Sequence, residues 1–191
     1  MRKFTVLILL ILPGLCYSQS TDPIEFSGLN VQSDTEVSLN DFKDKPAVVV
    51  LFTGYQCPFD GYYRLRVREL MNSYSDKVAF ILVNAYQGPE EAVDKMKMEA
   101  VAHGYTVPYL ADKEQKIMTA LGARKTPEAF LLKRSGDKFV VVYSGAIDDN
   151  PQLPSGVKEH YLNAAIEGLL AGKPSTGTVS VRATGCTIRK K

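Results

Sequence analysis

The stretch "PAVVVLFTGYQCPFDGYYRLRVRELMNSY", Pro46 to Tyr74, changes its hydrophobic period at one cysteine. Up to Phe52 the run is continuous, apolar and β-branched, as expected of a central strand covered on both faces. Beyond Cys57 the residues Tyr63, Val67, Leu70, Met71 and Tyr74 recur at helical spacing. Pro58 fits the first helical position, where its missing N–H costs nothing. A buried strand therefore runs into a helix that starts at Cys57. Unpaired backbone N–H groups and the positive end of the helix dipole converge at such a corner, and they lower a thiol's pKa below its free value of about 8.5. The pattern predicts a reactive thiolate. An inert buried cysteine is the competing reading.

Working outward, Thr21 to Lys45 suggests a short hairpin or extended arm that packs Leu29, Val37, Leu39 and Phe42. "KVAFILVNAY" (Lys77 to Tyr86) reads as a second buried strand, and Gly88 to Gly104 as a helix with proline and acids in its first turn and glycine beyond its end. "TVPYLAD" is a short strand or extended link, and Lys113 to Gly122 another helix. Two apolar runs around a Ser-Gly-Asp turn, Glu128 to Gly145, form an antiparallel hairpin. A last helix over Val157 to Gly172 buries Val157, Tyr161, Leu162, Ala165, Ile166, Leu169 and Leu170. This order predicts an α/β fold with parallel strands at the centre of the sheet and an antiparallel hairpin at one edge.

The chain has 191 residues, 45% hydrophobic and 23% charged, with a net charge of +2. That composition suits one globular domain. Its scattered Lys and Arg residues form no basic stripe, which argues against nucleic acid as a partner. "MRKFTVLILLILPGLCYSQS" has the order of a secretory signal, basic then apolar then small or polar. Its apolar run is too short for a stable membrane span. The expected organisation is a signal peptide over 1–20, a domain over 21–172 and a tail over 173–191, in a protein exported to the periplasm. Lipidation at Cys16 is the alternative. Cleavage leaves two cysteines, Cys57 and Cys186, in an oxidising compartment. With no C-x-x-C pair and with His103 and His160 far apart, no metal site is expected.

A second site element is Thr126-Pro127, directly before a predicted strand. Proline there marks a bend, often a cis bond; if the bend faces Cys57, the free backbone N–H and C=O of Thr126 are expected to hold an extended substrate segment across the thiol. Taken together, "VSLNDFKDKPAVVVLFTGYQCP", "GARKTPEAFLL", "VVYSGAIDDNPQ" and "GLLAGKPSTGTVSVRATGCTIRKK" resemble, in order, the arm and active-site strand, the Thr-(cis)Pro loop, the final hairpin, and the last helix with Gly-Cys ending of the peroxiredoxin-like redoxins. These are exported bacterial members of the thioredoxin superfamily. The resemblance covers nearly all of the mature chain. It implies a thioredoxin-like fold, a central mixed sheet flanked by helices with an inserted helix and strand. It also implies thiol chemistry at Cys57 without a bound cofactor.

The chain departs from these relatives at informative places. Asp60 stands where thioredoxins carry the second, resolving cysteine of their motif, and Leu51 where they carry a buried acid. Gly54 and Val50 replace the threonine or serine and the proline that precede a peroxidatic cysteine. Arg124 is a candidate for the positive charge beside the thiolate, with Lys125 equally placed. Pro58, Thr126 and Pro127 would position the substrate. For Cys186 three readings stay open: a resolving thiol, a permanent bond to Cys57, or a remote free thiol. Asp148 and Asp149 read as turn formers and solvated charge. Three functions follow as expectations. One is an exported thiol-disulfide oxidoreductase acting on protein or small-molecule disulfides with an external thiol reductant. The others are a one-cysteine peroxidase forming a sulfenic acid at Cys57, with peroxide as substrate and an antioxidant role, and a non-catalytic binding module.

Overall fold

The computed structural model of the protein describes residues 22–173 and 177–191; the segment read as a signal peptide, with Cys16, lies outside the described residues. The elements run β1 (Ser27–Asn30), β2 (Thr35–Ser38), β3 (Ala47–Phe52), α1 (Pro58–Tyr74), β4 (Val78–Asn84), α2 (Val93–His103) and β5 (Tyr109–Ala111). They continue with α3 (Lys116–Leu121), β6 (Lys125–Thr126), β7 (Glu128–Ser135), β8 (Lys138–Gly145), α4 (Tyr161–Leu170), β9 (Val179–Val181) and β10 (Cys186–Thr187). Eight strands form one mixed sheet in the order β2-β1-β5-β4-β3-β7-β8-β9, and β10 pairs with β6 in a separate ladder. Parallel pairing holds β3 to β4 and β4 to β5, while β3 meets the β7–β8 hairpin antiparallel. This is the thioredoxin-like arrangement, a central mixed sheet with helices on both faces.

All six residues of β3 are buried, and their alternation divides the core. Val49 and Leu51 face Tyr63, Val67 and Met71 of α1, Met96 of α2, and Leu162 and Ile166 of α4. Val48, Val50 and Phe52 face the opposite layer, which holds Leu39, Ile117 and Met118 of α3, and Ile188 from the C-terminal tail. The continuous apolar run of β3 is explained by this two-sided burial. Among the described residues no helix is long and apolar enough to cross a membrane.

Local differences from the sequence reading have local causes. The helix expected from Gly88 is broken into a 3₁₀ turn at Pro89–Glu91 and then α2, because Ala92 is extended. The next helix begins at Lys116, where the Asp112 carboxylate accepts the N–H groups of Ile117 and Met118 (3.2 and 2.8 Å). Gly104 and Gly122 end α2 and α3 in the left-handed region, which glycine adopts without steric cost. Leu29, expected in the core, is 39% exposed in the β1–β2 arm. Val157 lies outside α4, after a 3₁₀ turn at Pro154–Gly156. Asp149 is a turn former that accepts the N–H groups of Lys158 and Glu159 (2.9 and 3.1 Å). Asp148 is not solvated: it is buried, bonded to Arg66 and to the Tyr63 hydroxyl (2.9 Å).

The tail is part of the fold. β9 extends the main sheet parallel to β8, and a Cβ at Gly145 would lie 1.6 Å from the Val181 carbonyl oxygen, so only glycine permits that approach. Further on, the Gln115 amide donates to the Arg189 carbonyl and accepts the Lys191 N–H, both at 2.7 Å.

Candidate active site

Cys57 is the N-cap of α1, extended in backbone and only 4% exposed, with Pro58 at the first helical position. The loop ahead of it is pinned by Glu91, whose buried carboxylate accepts the N–H groups of Tyr55 (3.1 Å) and Gln56 (2.8 Å) and the Asn84 amide (2.6 Å). Thr126 and Pro127, joined by a cis peptide bond, are buried beneath the same corner, and the Thr126 carbonyl oxygen is 3.2 Å from the Cys57 sulfur. That sulfur is bonded to Cys186, with the two α-carbons 5.8 Å apart. The Thr126 contact is therefore between a carbonyl oxygen and a disulfide; a reduced Cys57 thiol would donate there. The reading of Cys186 as a remote free thiol is incorrect, because β10 pairs with β6 and lays Cys186 opposite Thr126. The same pairing means that the Thr126 backbone is not free for a substrate segment, since the chain's own tail lies across it.

In the reduced protein the first turn of α1 would favour a Cys57 thiolate, and the Thr126 carbonyl, through its lone pairs, would oppose it. Cys186 is half-buried and so more open than Cys57. Lys125 donates from Nζ to the Gly185 carbonyl at 3.2 Å, placing a cation one peptide from Cys186. Arg124 is exposed and takes part through its backbone: its N–H donates to Glu128 (2.7 Å) and its carbonyl accepts the Ile188 N–H (2.9 Å). The charge beside the disulfide thus comes from Lys125, on the Cys186 side.

Asp60 lies in the first turn of α1, its Oδ2 sealed from solvent and without a hydrogen-bond partner. It lines a cavity of about 290 Å³ together with Leu51, Thr53, Tyr63, Tyr105 and Pro127. Asp60 thus brings a carboxyl from the helix to a cavity that Leu51 lines from the strand. Burial pushes the Asp60 carboxyl up to about 7, against the Thr53 and Thr126 hydroxyls and the Gly54 backbone, which favour its ionised form. Glu99, also buried, is pushed up to about 7 by burial and by the Glu91 charge, with Arg64 opposing. A carboxyl that titrates near neutrality can take and return a proton at working pH.

The raised Asp60 pKa has a sign for stability. Between about 4 and 7 the folded state holds a proton that the unfolded chain has released, so stability falls as pH rises through that window. Asp60→Asn is expected to remove this slope and to raise stability above pH 7 by roughly 2–4 kcal/mol. Melting temperature against pH, from 4 to 8, checks it: parallel curves for the two proteins would refute the assignment.

Sequence reasoning missed Tyr86 and Glu91. The Tyr86 hydroxyl is 2.9 Å from Oγ1 of Thr126, and a Cβ at Gly54 would meet the Tyr86 ring at 2.4 Å. The ring thus occupies the space into which the threonine or serine of a peroxidatic motif would project. Tyr55 and Tyr62 are exposed beside the corner, with Phe59 edge-on to Tyr62, whereas Tyr63 is core.

Residues 20–165 match the Redoxin family, which leaves Cys186 beyond the matched segment. A hypothetical protein from Sinorhizobium meliloti 1021 is 31% identical over 91% of this chain and 95% of its own, with a TM-score of 0.77. An uncharacterized conserved protein from Geobacillus kaustophilus is 29% identical over 95% and 98%, also with a TM-score of 0.77. The pneumococcal exposed lipoprotein thioredoxin of Streptococcus pneumoniae strain TIGR4, at 17% identity over 75% and 99% with a TM-score of 0.58, shares the fold. A comparison with curated proteins gives no match. With a thioredoxin-like sheet, a cysteine capping the helix after its central strand and a cis-proline loop beneath the sulfur, the chain belongs to the Redoxin family.

Proposed function

We propose that the protein is an exported thiol-disulfide oxidoreductase in which Cys57 is the nucleophile and Cys186 the resolving thiol. The observation that carries this reading is the position of the Cys57–Cys186 bond, across the mouth of α1 and against the cis-proline loop. In the reduced protein the Cys57 thiolate attacks a substrate disulfide; a mixed disulfide forms and one substrate thiolate leaves. Cys186, as thiolate, then attacks the Cys57 sulfur and expels the second substrate thiol, so the substrate gains two electrons and the protein ends as the disulfide. Two equivalents of an external thiol return the protein to its dithiol form. The first attacks Cys186, the more open sulfur, and Cys57 leaves as a thiolate into the first turn of α1. The second attacks the external sulfur of the resulting mixed disulfide, which releases Cys186 as a thiol and the external pair as its own disulfide.

Export rests on the N-terminal sequence pattern. The Tyr86 ring beside Gly54 supports disulfide exchange over a peroxidase, since it stands where a peroxidatic motif needs a hydroxyl. The test is trapping. Reduced Cys186→Ser, mixed with glutathione disulfide, is expected to accumulate one glutathionyl group on Cys57 by mass, whereas wild type passes on to the internal disulfide. Absence of the adduct in the variant would sink the proposal, and oxidation of Cys57 by peroxide but not by glutathione disulfide would favour the peroxidase.

A further inference from the structure

The tail reaches Cys57 by an unusually close backbone approach. In the β6–β10 ladder Cys186 lies opposite Thr126 and Thr187 opposite Lys125. A Cβ at Gly185 would sit 2.1 Å from the Thr126 carbonyl oxygen, 2.7 Å from its carbonyl carbon and 3.2 Å from the Pro127 nitrogen. All three obstacles are backbone atoms, which cannot rotate away. On either side of this crossing the tail is anchored without help from sulfur. Ala183 and Ile188 are buried, the Ile188 N–H donates to Arg124, and Gln115 holds Arg189 and Lys191.

We infer that Gly185 is a positioning residue for the sulfur exchange, a position in the tail where a missing side chain lets Cys186 lie within bonding reach of Cys57. The inference rests on the proposed roles of the two cysteines. With both flanks anchored, a methyl group at 185 must lift the local backbone by more than about 1 Å to reach ordinary contact, and Cys186 moves with it. A disulfide tolerates only about 4.4–6.8 Å between α-carbons, and the pair stands at 5.8 Å. Attack of Cys57 on a substrate disulfide forms no bond to Cys186. A side chain at 185 therefore separates the two steps: the mixed disulfide on Cys57 forms normally, and its displacement by the Cys186 thiolate is slowed.

Reduced wild type, Gly185→Ala and Gly185→Val, each as residues 21–191 so that Cys57 and Cys186 are the only thiols, are mixed with glutathione disulfide, acid-quenched at intervals and weighed. Appearance of the glutathionyl adduct on Cys57 is expected at the wild-type rate in all three. Its decay to the internal disulfide should slow at least about tenfold in Gly185→Ala and further in Gly185→Val. The equilibrium constant for the internal disulfide against glutathione should fall by a similar factor, a rise in potential of about 30 mV per tenfold. Gly88→Ala, where nothing lies within 4 Å of the added methyl, is the control. Closure at the wild-type rate in Gly185→Ala overturns the inference. So does loss of both steps together with a lowered melting temperature of the reduced form, which would make the role merely structural. If no protein, wild type included, carries an adduct on Cys57, the proposed function fails instead, and the two failures are told apart by the first step alone.

Discussion

Cys57→Ser is expected to lose thiol-disulfide exchange to the background rate, a fall on the order of a thousandfold or more, equivalent to about 4 kcal/mol of transition-state stabilisation. The reason is chemical. The amide groups and dipole at the start of α1 can bring a thiol of free pKa about 8.5 into the range where it is substantially ionised at neutral pH, but they cannot do so for an alcohol. Cys186→Ser should behave differently, retaining the first attack and holding the adduct on Cys57 until dithiothreitol displaces it directly. Alkylation of Cys57 against pH in that variant reports its thiolate, and its midpoint should fall below about 8.5. Turnover of glutathione disulfide with dithiothreitol as reductant, for wild type and both variants, makes the comparison. A Cys57→Ser rate within a few-fold of wild type would end the assignment of Cys57 as nucleophile.

The second large effect is on stability. The Cys57–Cys186 bond spans a sequence separation of 129 residues, so in the unfolded chain it closes a very long loop. Chain entropy for such a loop corresponds to about 5 kcal/mol at 25 °C, which for a domain of this size is roughly 10–20 °C in melting temperature. Because the effect acts on the unfolded ensemble, it is lost on reduction even though Ile188 and Gln115 keep the tail docked in the folded state. Urea unfolding with and without reductant measures it. The reduced protein should show a lower midpoint and a steeper denaturant dependence, since an uncrosslinked unfolded chain exposes more surface. Coincident curves would show that the bond adds nothing. By the same cycle, folding lowers the potential of the pair by about 100 mV relative to the unfolded chain, so a measured potential tells a reducible disulfide from a permanent staple.

The local grammar of the fold was legible in the sequence. A short continuous β-branched run suits a strand buried on both faces, and proline directly after Cys57 starts a helix whose apolar spacing selects its inner face; both are short-range properties, and β3 and α1 obey them. Glycine at 104 and 122 marked two helix ends for the same reason. What tertiary structure alone decided depends on distances between segments far apart in the chain. Cys186 meets Cys57 only because Gly185 crosses the Thr126 backbone and Ile188 is drawn into the second core layer. Asp60 acquires its raised pKa, and Asp148 its partner Arg66, only where packing has removed water from each carboxylate. A residue's type and spacing state which face it prefers, but the charge, proton and bond it carries there follow from neighbours that periodicity does not encode.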